Sequence, residues 1–192
     1  MARASTAGVR HVALLRGINV GGNNIIPMAA LKRTFEELGF TSVKTLLASG
    51  NVLFDAPKQD LRALEEKIEA ALSMAFAYEA TVVVKSKPEM TAIVRAVRAT
   101  WPKPSAAKRY YIAFLRHTID SKKILATFTP KDGIETLTYT RGALLWAADV
   151  RALTRSAVSR QFGTKAVYAH VTMRNLNTTM KIAALVGEEA VR

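Results

Sequence analysis

Hydrophobic and polar positions along this chain alternate between a strand-like and a helix-like rhythm. Residues 10–15 form a short apolar run, read as a strand. A stretch rich in glycine and asparagine, residues 16–26, follows it, and Pro27 then stands where a first helical residue is well tolerated. Met28, Leu31, Phe35 and Leu38 recur at helical spacing, and Gly39 supplies the stop. Residues 43–48 and 52–54 read as two strands around a tight Ser49-Gly50-Asn51 turn. Leu61, Leu64, Ile68 and Leu72 mark a second amphipathic helix. Residues 80–85 are β-branched and strand-like, and residues 88–99 predict a third helix.

The segment Trp101-Pro102-Lys103-Pro104-Ser105 interrupts this rhythm, because two prolines two positions apart exclude a helix interior. Beyond it the pattern restarts. Val12-Ala13-Leu14-Leu15-Arg16 is echoed by Ile112-Ala113-Phe114-Leu115-Arg116. Leu31-Lys32-Arg33-Thr34-Phe35 is echoed more weakly by Ile124-Leu125-Ala126-Thr127-Phe128. Val43-Lys44-Thr45-Leu46 answers to Ile134-Glu135-Thr136-Leu137, and Gly50 with Val52-Leu53-Phe54 answers to Gly142 with Leu144-Leu145-Trp146. Four echoes in one order argue for duplication of a strand–helix–strand–strand unit. The first half completes the ferredoxin-like pattern. After Trp146, residues 153–162 read as a helix, 165–172 as a strand and 177–186 as a last helix.

The expected fold class is therefore α+β, with two ferredoxin-like subdomains whose antiparallel sheets carry helices on one face. The expected division is a tail at 1–9, a first subdomain at 10–100, a Pro-rich linker at 101–108, and a second subdomain with a C-terminal helix at 109–192. The tail is small and polar and does not read as a secretory leader.

Charge changes this picture. Lys and Arg number 28 against 15 Asp and Glu, a net +13. Residues 1–101 are net +4 and residues 102–192 net +9, with seven basic residues and one acid, Asp149, between 141 and 181. Such an excess favours an anionic partner, a phosphate-containing small molecule or nucleic acid. It fits a solvated basic surface as well. Cysteine is absent, which excludes disulfides, thiolate nucleophiles and cysteine metal sites and fits a cytoplasmic location. No apolar run approaches the ~18–20 residues of a membrane span, so no membrane partner is expected.

Three segments carry candidate chemistry. Arg16, Asn19, Gly21, Gly22 and Asn23 lie in a loop between a strand and a helix, where glycines let backbone N–H groups approach an anion. The P-loop pattern fails, since Asn23 and Asn24 stand where Lys and Ser or Thr are required. Ser49 and Asn51 flank a turn that lacks the glycines of a nucleophile elbow. Ferredoxin-like topology brings that turn and the first loop to one edge of the sheet, where Arg16, Asn19, Asn23, Ser49 and Asn51 converge. Arg174, Asn175 and Asn177 open the last helix, with an asparagine or threonine as N-cap and the arginine as an anion clamp. Turns and caps alone account for each segment equally well.

The remaining candidates are weaker. His11, His117 and His170 lack metal-ligand spacing, so no metal or cofactor is expected. His117, Asp55 and Asp149 are acid–base candidates without an evident partner. Glu36-Glu37 and Glu65-Glu66 read as solvated helix faces, and Tyr110, Phe114 and Trp146 as strand aromatics of the core.

The strings Leu15-Arg16-Gly17-Ile18-Asn19-Val20-Gly21-Gly22, Pro27-Met28, Ser49-Gly50-Asn51-Val52 and Thr172-x-Arg174-Asn175-x-Asn177-Thr178 together resemble the bacterial family known as domain of unknown function 1697. The resemblance runs from about Arg10 to Val186. It implies two ferredoxin-like subdomains and no particular activity. Two departures stand out: Asn23 where the family often has Lys or Arg, and Leu176 where it usually has Trp. Arg, Asn, Gly, Ser and Thr are donors and turn formers. They are suited to holding a phosphate-containing or otherwise anionic ligand, nucleotide or nucleic acid, more than to proton transfer. An enzyme acting on a small anionic substrate and a structural or protein-interaction module remain the alternatives.

Overall fold

The computed structural model of the chain describes residues 8–22, 24–164, 167 and 169–187. The chain divides into two compact units, residues 1–87 with 185–192, and residues 88–184. The sequence pattern places the break at 101–108. The units instead divide at Lys87 and Pro88, so the third helix is grouped with the second unit.

In the first unit, β1 (Val9–Leu15), α1 (Met28–Glu37), β2 (Thr41–Leu46), β3 (Asn51–Ala56), α2 (Leu61–Phe76) and β4 (Val82–Ser86) follow one another, and α3 (Lys87–Thr100) continues from β4. The strands form an antiparallel sheet in the order β2-β3-β1-β4. That is the ferredoxin-like arrangement. Ala13, Leu15, Phe54, Val82 and Val84 supply one layer of the core, and Leu31, Phe35, Leu64, Ile68 and Leu72 of α1 and α2 supply the other. The intervening residues Val12, Leu14, Leu53 and Val83 are also buried. Burial of both parities is why the strands read as unbroken apolar runs.

The edge strand β4 is covered in a specific way. Glu65 and Glu69, one turn apart on α2, accept hydrogen bonds from the N–H groups of Val84 at 3.0 Å and Val82 at 2.9 Å. Carboxylates at i and i+4 thus match amides at i and i+2 on an otherwise open edge. Glu65 is consequently fully buried, where the sequence pattern places it on a solvated face; Glu66 fits that reading, pairing with Arg62 at 3.3 Å, as do the exposed Glu36 and Glu37.

The second unit repeats the plan with β5 (Lys108–Leu115), β6 (Glu135–Thr140), β7 (Ala143–Asp149) and β8 (Val171–Asn175), in the order β6-β7-β5-β8. A final helix, α5 (Leu176–Gly187), follows β8 without a break. The repeat extends to register: Val12 faces Leu53 and Lys85, while Ile112 faces Leu145 and Arg174. Leu15 N–H donates to Gly50 O at 2.8 Å, and Leu115 N–H to Gly142 O at 3.0 Å.

The crossovers are where the repeats differ. The echo of α1 forms a six-residue 3-10 turn, Lys122–Thr127, capped by Ser121 and stopped before Pro130. The helix expected at 153–162 is interrupted. A 3-10 turn (Val150–Arg155) ends at Ser156, whose hydroxyl accepts from Ser159 N–H at 2.8 Å and starts α4 (Ala157–Phe162). A capping serine offers its own bond in place of helix continuation. The strand expected at 165–172 begins at Val171 and runs on to Asn175, because its register against β5 extends from Leu115 to Tyr111. Lys165, Ala166 and Tyr168 lie outside the described residues.

Candidate functional site

The first loop and the β2–β3 turn meet at one edge of the first unit. Asn19, at φ 53, donates through Nδ2 to Ile26 O at 3.1 Å and to Ala48 O at 2.9 Å, and its Oδ1 accepts from Ile26 N–H at 2.8 Å. One amide side chain therefore both closes the loop and ties it to the turn. Asn24 closes the loop from the other side, donating to Gly17 O at 3.0 Å. Asn51 is wholly buried and donates to Leu46 O at 2.8 Å and Ser49 Oγ at 3.3 Å. Gly50 sits at φ 76, where a Cβ would lie 2.8 Å from that of Leu15.

Arg16 is half-buried and its N–H donates to Thr81 O at 3.0 Å, while Gly21 and Gly22 are exposed in the left-handed region. Asn23 lies outside the described residues. Among the described residues Asn19 and Asn24 thus spend their amides on backbone, and Asn51 on backbone and Ser49. Around them Val20, Ile25 and Leu47 are 62%, 76% and 48% exposed.

Arg174, Asn175 and Asn177 lie in the second unit. Arg174 belongs to β8 and is buried. Its Nη1 donates to Thr172 Oγ1 at 2.9 Å and Met173 O at 2.8 Å, and burial pushes its pKa down to about 10. Asn175 caps α5, its Oδ1 accepting from Thr178 N–H at 2.8 Å. Asn177 is exposed in the first turn.

Asn175 and Asn177 line a cavity of about 550 Å³ with Leu176, linker residues 104–106, and residues 108–111 at the start of β5. Among the described residues its side chains include Lys108, Arg109, Tyr110 and Tyr111 and no carboxylate. Asp149 faces Lys108 across the β5–β7 register but is not in the lining, and its Oδ1 accepts from Arg151 N–H at 2.7 Å. The walls are fixed. Tyr110 Oη accepts from Ser105 N–H at 2.8 Å and its ring meets Trp101 edge-on, while Tyr111 stacks on Trp146. At the corresponding register position of the first repeat, Arg10 faces Asp55 and pairs with it at 3.3 Å. Tyr110 instead faces Ala147.

The adjacent string Lys108-Arg109-Tyr110-Tyr111 was the sequence signal for this cavity, and its meaning depends on what folds against it. Phe114 and Trp146 are core, as their apolar setting predicts.

One buried acid, Glu135, and one half-buried acid, Glu89, complete the inventory. Glu135 receives N–H groups of Lys131, Ala157 and Val158 on Oε1, and Trp146 Nε1 and Ser156 Oγ on Oε2. Burial raises its pKa, but these bonds outweigh it and hold the carboxyl below its ordinary value. His117 Nε2 lies 2.9 Å from Glu89 Oε1. Among the described residues no group of three or more His, Asp or Glu could hold a metal ion, and no helix is long and apolar enough to cross a membrane.

Residues 9–146 match the family described as "Protein of unknown function (DUF1697)". The chain belongs to that family. The matched span covers both motifs of the first unit and ends before the Arg174 segment. The DUF1697 chain is also similar to the conserved bacterial protein SP0830 from Streptococcus pneumoniae. The two align at TM-score 0.79 and 26% identity over 93% of this chain and 98% of that one. An unknown protein from Galdieria sulphuraria aligns over 88% of this chain and 97% of its own at 12% identity, with a TM-score of 0.25. No curated protein matches the chain.

Proposed function

We propose that this DUF1697 protein binds a phosphate-containing small molecule in the cleft between the start of β5 and the β8–α5 junction. The observation that carries the reading is the cleft's lining: Lys108 and Arg109 stand beside Asn175 and Asn177 around about 550 Å³, with no carboxylate among them. Its size is that of a small-ligand pocket. Lys108 faces Asp149 across the β5–β7 register while Arg109 faces Ala148, so Arg109 is the cation that favours an anion, and its fork suits phosphate oxygens. The first-loop edge, with Arg16, Gly21 and Gly22, contributes exposed backbone to the same chemistry in the first unit, but Asn19 is already engaged in holding the loop to the turn and Asn24 in closing the loop.

Binding is favoured over catalysis by the position of the acid–base pair. His117 and Glu89 lie past the far end of β5. At about 3.3 Å per residue, the strand separates them from Arg109 by roughly 20 Å.

Titrating pyrophosphate into the protein while following thermal unfolding tests the reading. A ligand that binds only the folded state adds about 2.7 kcal/mol at a hundred times its Kd. The stabilisation should appear in the unaltered chain and vanish in Lys108→Ala with Arg109→Ala. An unmoved transition at millimolar phosphate ligands sinks it.

A further inference from the structure

We propose that the cleft's ligand is a nucleoside monophosphate; this rests on the phosphate reading above and narrows it. The lining changes character along β5. Lys108 and Arg109 come first, Tyr110 and Tyr111 next, so each face of the strand carries a cation followed by a ring. A ligand lying along the strand meets charge at one end and aromatic surface at the other. Amides stand near the ring end: Asn175 faces Tyr111 in the β5–β8 register, and Asn177 lies in the first turn of α5.

The amides suit a base edge. Asn175 Oδ1 is spent on the helix cap, which leaves its Nδ2 hydrogens to donate. Asn177 makes no side-chain hydrogen bond among the described residues and offers both a donor and an acceptor. Pairing an amide with a purine or pyrimidine edge beside an aromatic ring is a general way to hold a base.

A sugar phosphate brings no ring to set against Tyr110. A bare phosphate would leave the tyrosine end of the cavity unused. The tyrosines are also held in place before any ligand arrives, Tyr110 by Ser105 N–H and Trp101 and Tyr111 by Trp146. A preset ring costs little ordering on binding. The first repeat lacks this arrangement, since Arg10 at the corresponding position is neutralised by Asp55.

Calorimetric titration of the full chain decides the matter, with inorganic phosphate, ribose 5-phosphate and the four ribonucleoside 5′-monophosphates as probes. Stacking on an aromatic ring is worth about tenfold in affinity or more. At least one monophosphate should therefore bind about tenfold tighter than ribose 5-phosphate. Tyr110→Leu should erase that advantage, and Tyr110→Phe, which keeps the ring, should preserve it. The comparison among ligands on the unaltered chain stands whether or not Tyr110→Leu folds. Equal affinity for ribose 5-phosphate and every nucleotide overturns the nucleotide assignment and leaves the phosphate reading standing. No binding by any probe removes both. A single-stranded RNA hexamer that binds about tenfold tighter than the monophosphates at about 0.3 M salt, where non-specific contacts are weakened, also overturns it in favour of a polymer.

Discussion

Lys85 and Arg174 occupy the same place in the two repeats. Lys85 faces Val12 across β1 and β4, Arg174 faces Ile112 across β5 and β8, and the two side chains are 0% and 8% exposed. A buried cation at one register position of each edge strand is therefore part of the duplicated plan, although the residue type has changed. Arg174→Ala removes the donor to Thr172 Oγ1 and Met173 O and should cost about 1–3 kcal/mol in urea unfolding. Unchanged stability would show that the guanidinium contributes nothing to the fold.

Gly50 and Gly17 both sit at positive φ, 76° and 66°, but only Gly50 is enclosed. A Cβ there would meet Leu15 and Ile18 at 2.8–2.9 Å, whereas at Gly17 it meets nothing within 4 Å. Gly50→Ala should lose about 2–4 kcal/mol, and Gly17→Ala about 1 kcal/mol. Equal losses in denaturant melts would mean that the turn is not clamped against the first loop.

Glu135 is a buried carboxylate served by five donors. Its folded pKa lies below the ordinary 4.5, so its contribution is fully present above that value and is lost as pH falls below it. Glu135→Gln turns an acceptor into an N–H₂ group facing donors and should cost about 2–4 kcal/mol, with a flatter acid limb in a pH series of melts. An unaltered acid limb would place the acid sensitivity elsewhere.

Tyr78 reports at the opposite end of the scale. Burial first and Glu69 second push its pKa up to about 12, and its buried hydroxyl has no hydrogen-bond partner among the described residues. A raised folded pKa means that stability is intact below pH 10 and falls from 10 towards 12, because the unfolded chain ionises first. Tyr78→Phe keeps the ring and should reduce that decline while leaving neutral-pH stability nearly unchanged. A decline of the same steepness in the variant would clear Tyr78 of the effect.

The duplication was legible because it rests on apolar runs and turn glycines. Val12–Leu15 and Ile112–Leu115 are buried on both faces, so their apolar character survives in both copies. The helix echo at Ile124 was not legible as a 3-10 turn, since a short amphipathic segment reads alike in either form. Glu65 shows the limit for charge. Helical periodicity puts it beside Glu66, and only the approach of β4 makes one acid a buried acceptor and leaves the other in solvent.

The sequence by itself determined the ferredoxin-like repeat and the loop–turn edge, because strand order and hydrophobic period together dictate which ends of a sheet meet. Tertiary structure alone decided what the motif side chains do there. Asn19 and Asn51 turn their amides to backbone carbonyls, a choice set by where a neighbouring segment places its C=O groups. It also decided that Lys108, Arg109 and Tyr110, unremarkable after a proline linker, share a cavity with Asn175 and Asn177, more than sixty residues away. Antiparallel pairing of β5 with β8 brings the start of one strand to the end of the other. A site formed by such pairing has no spacing along the chain from which to be read.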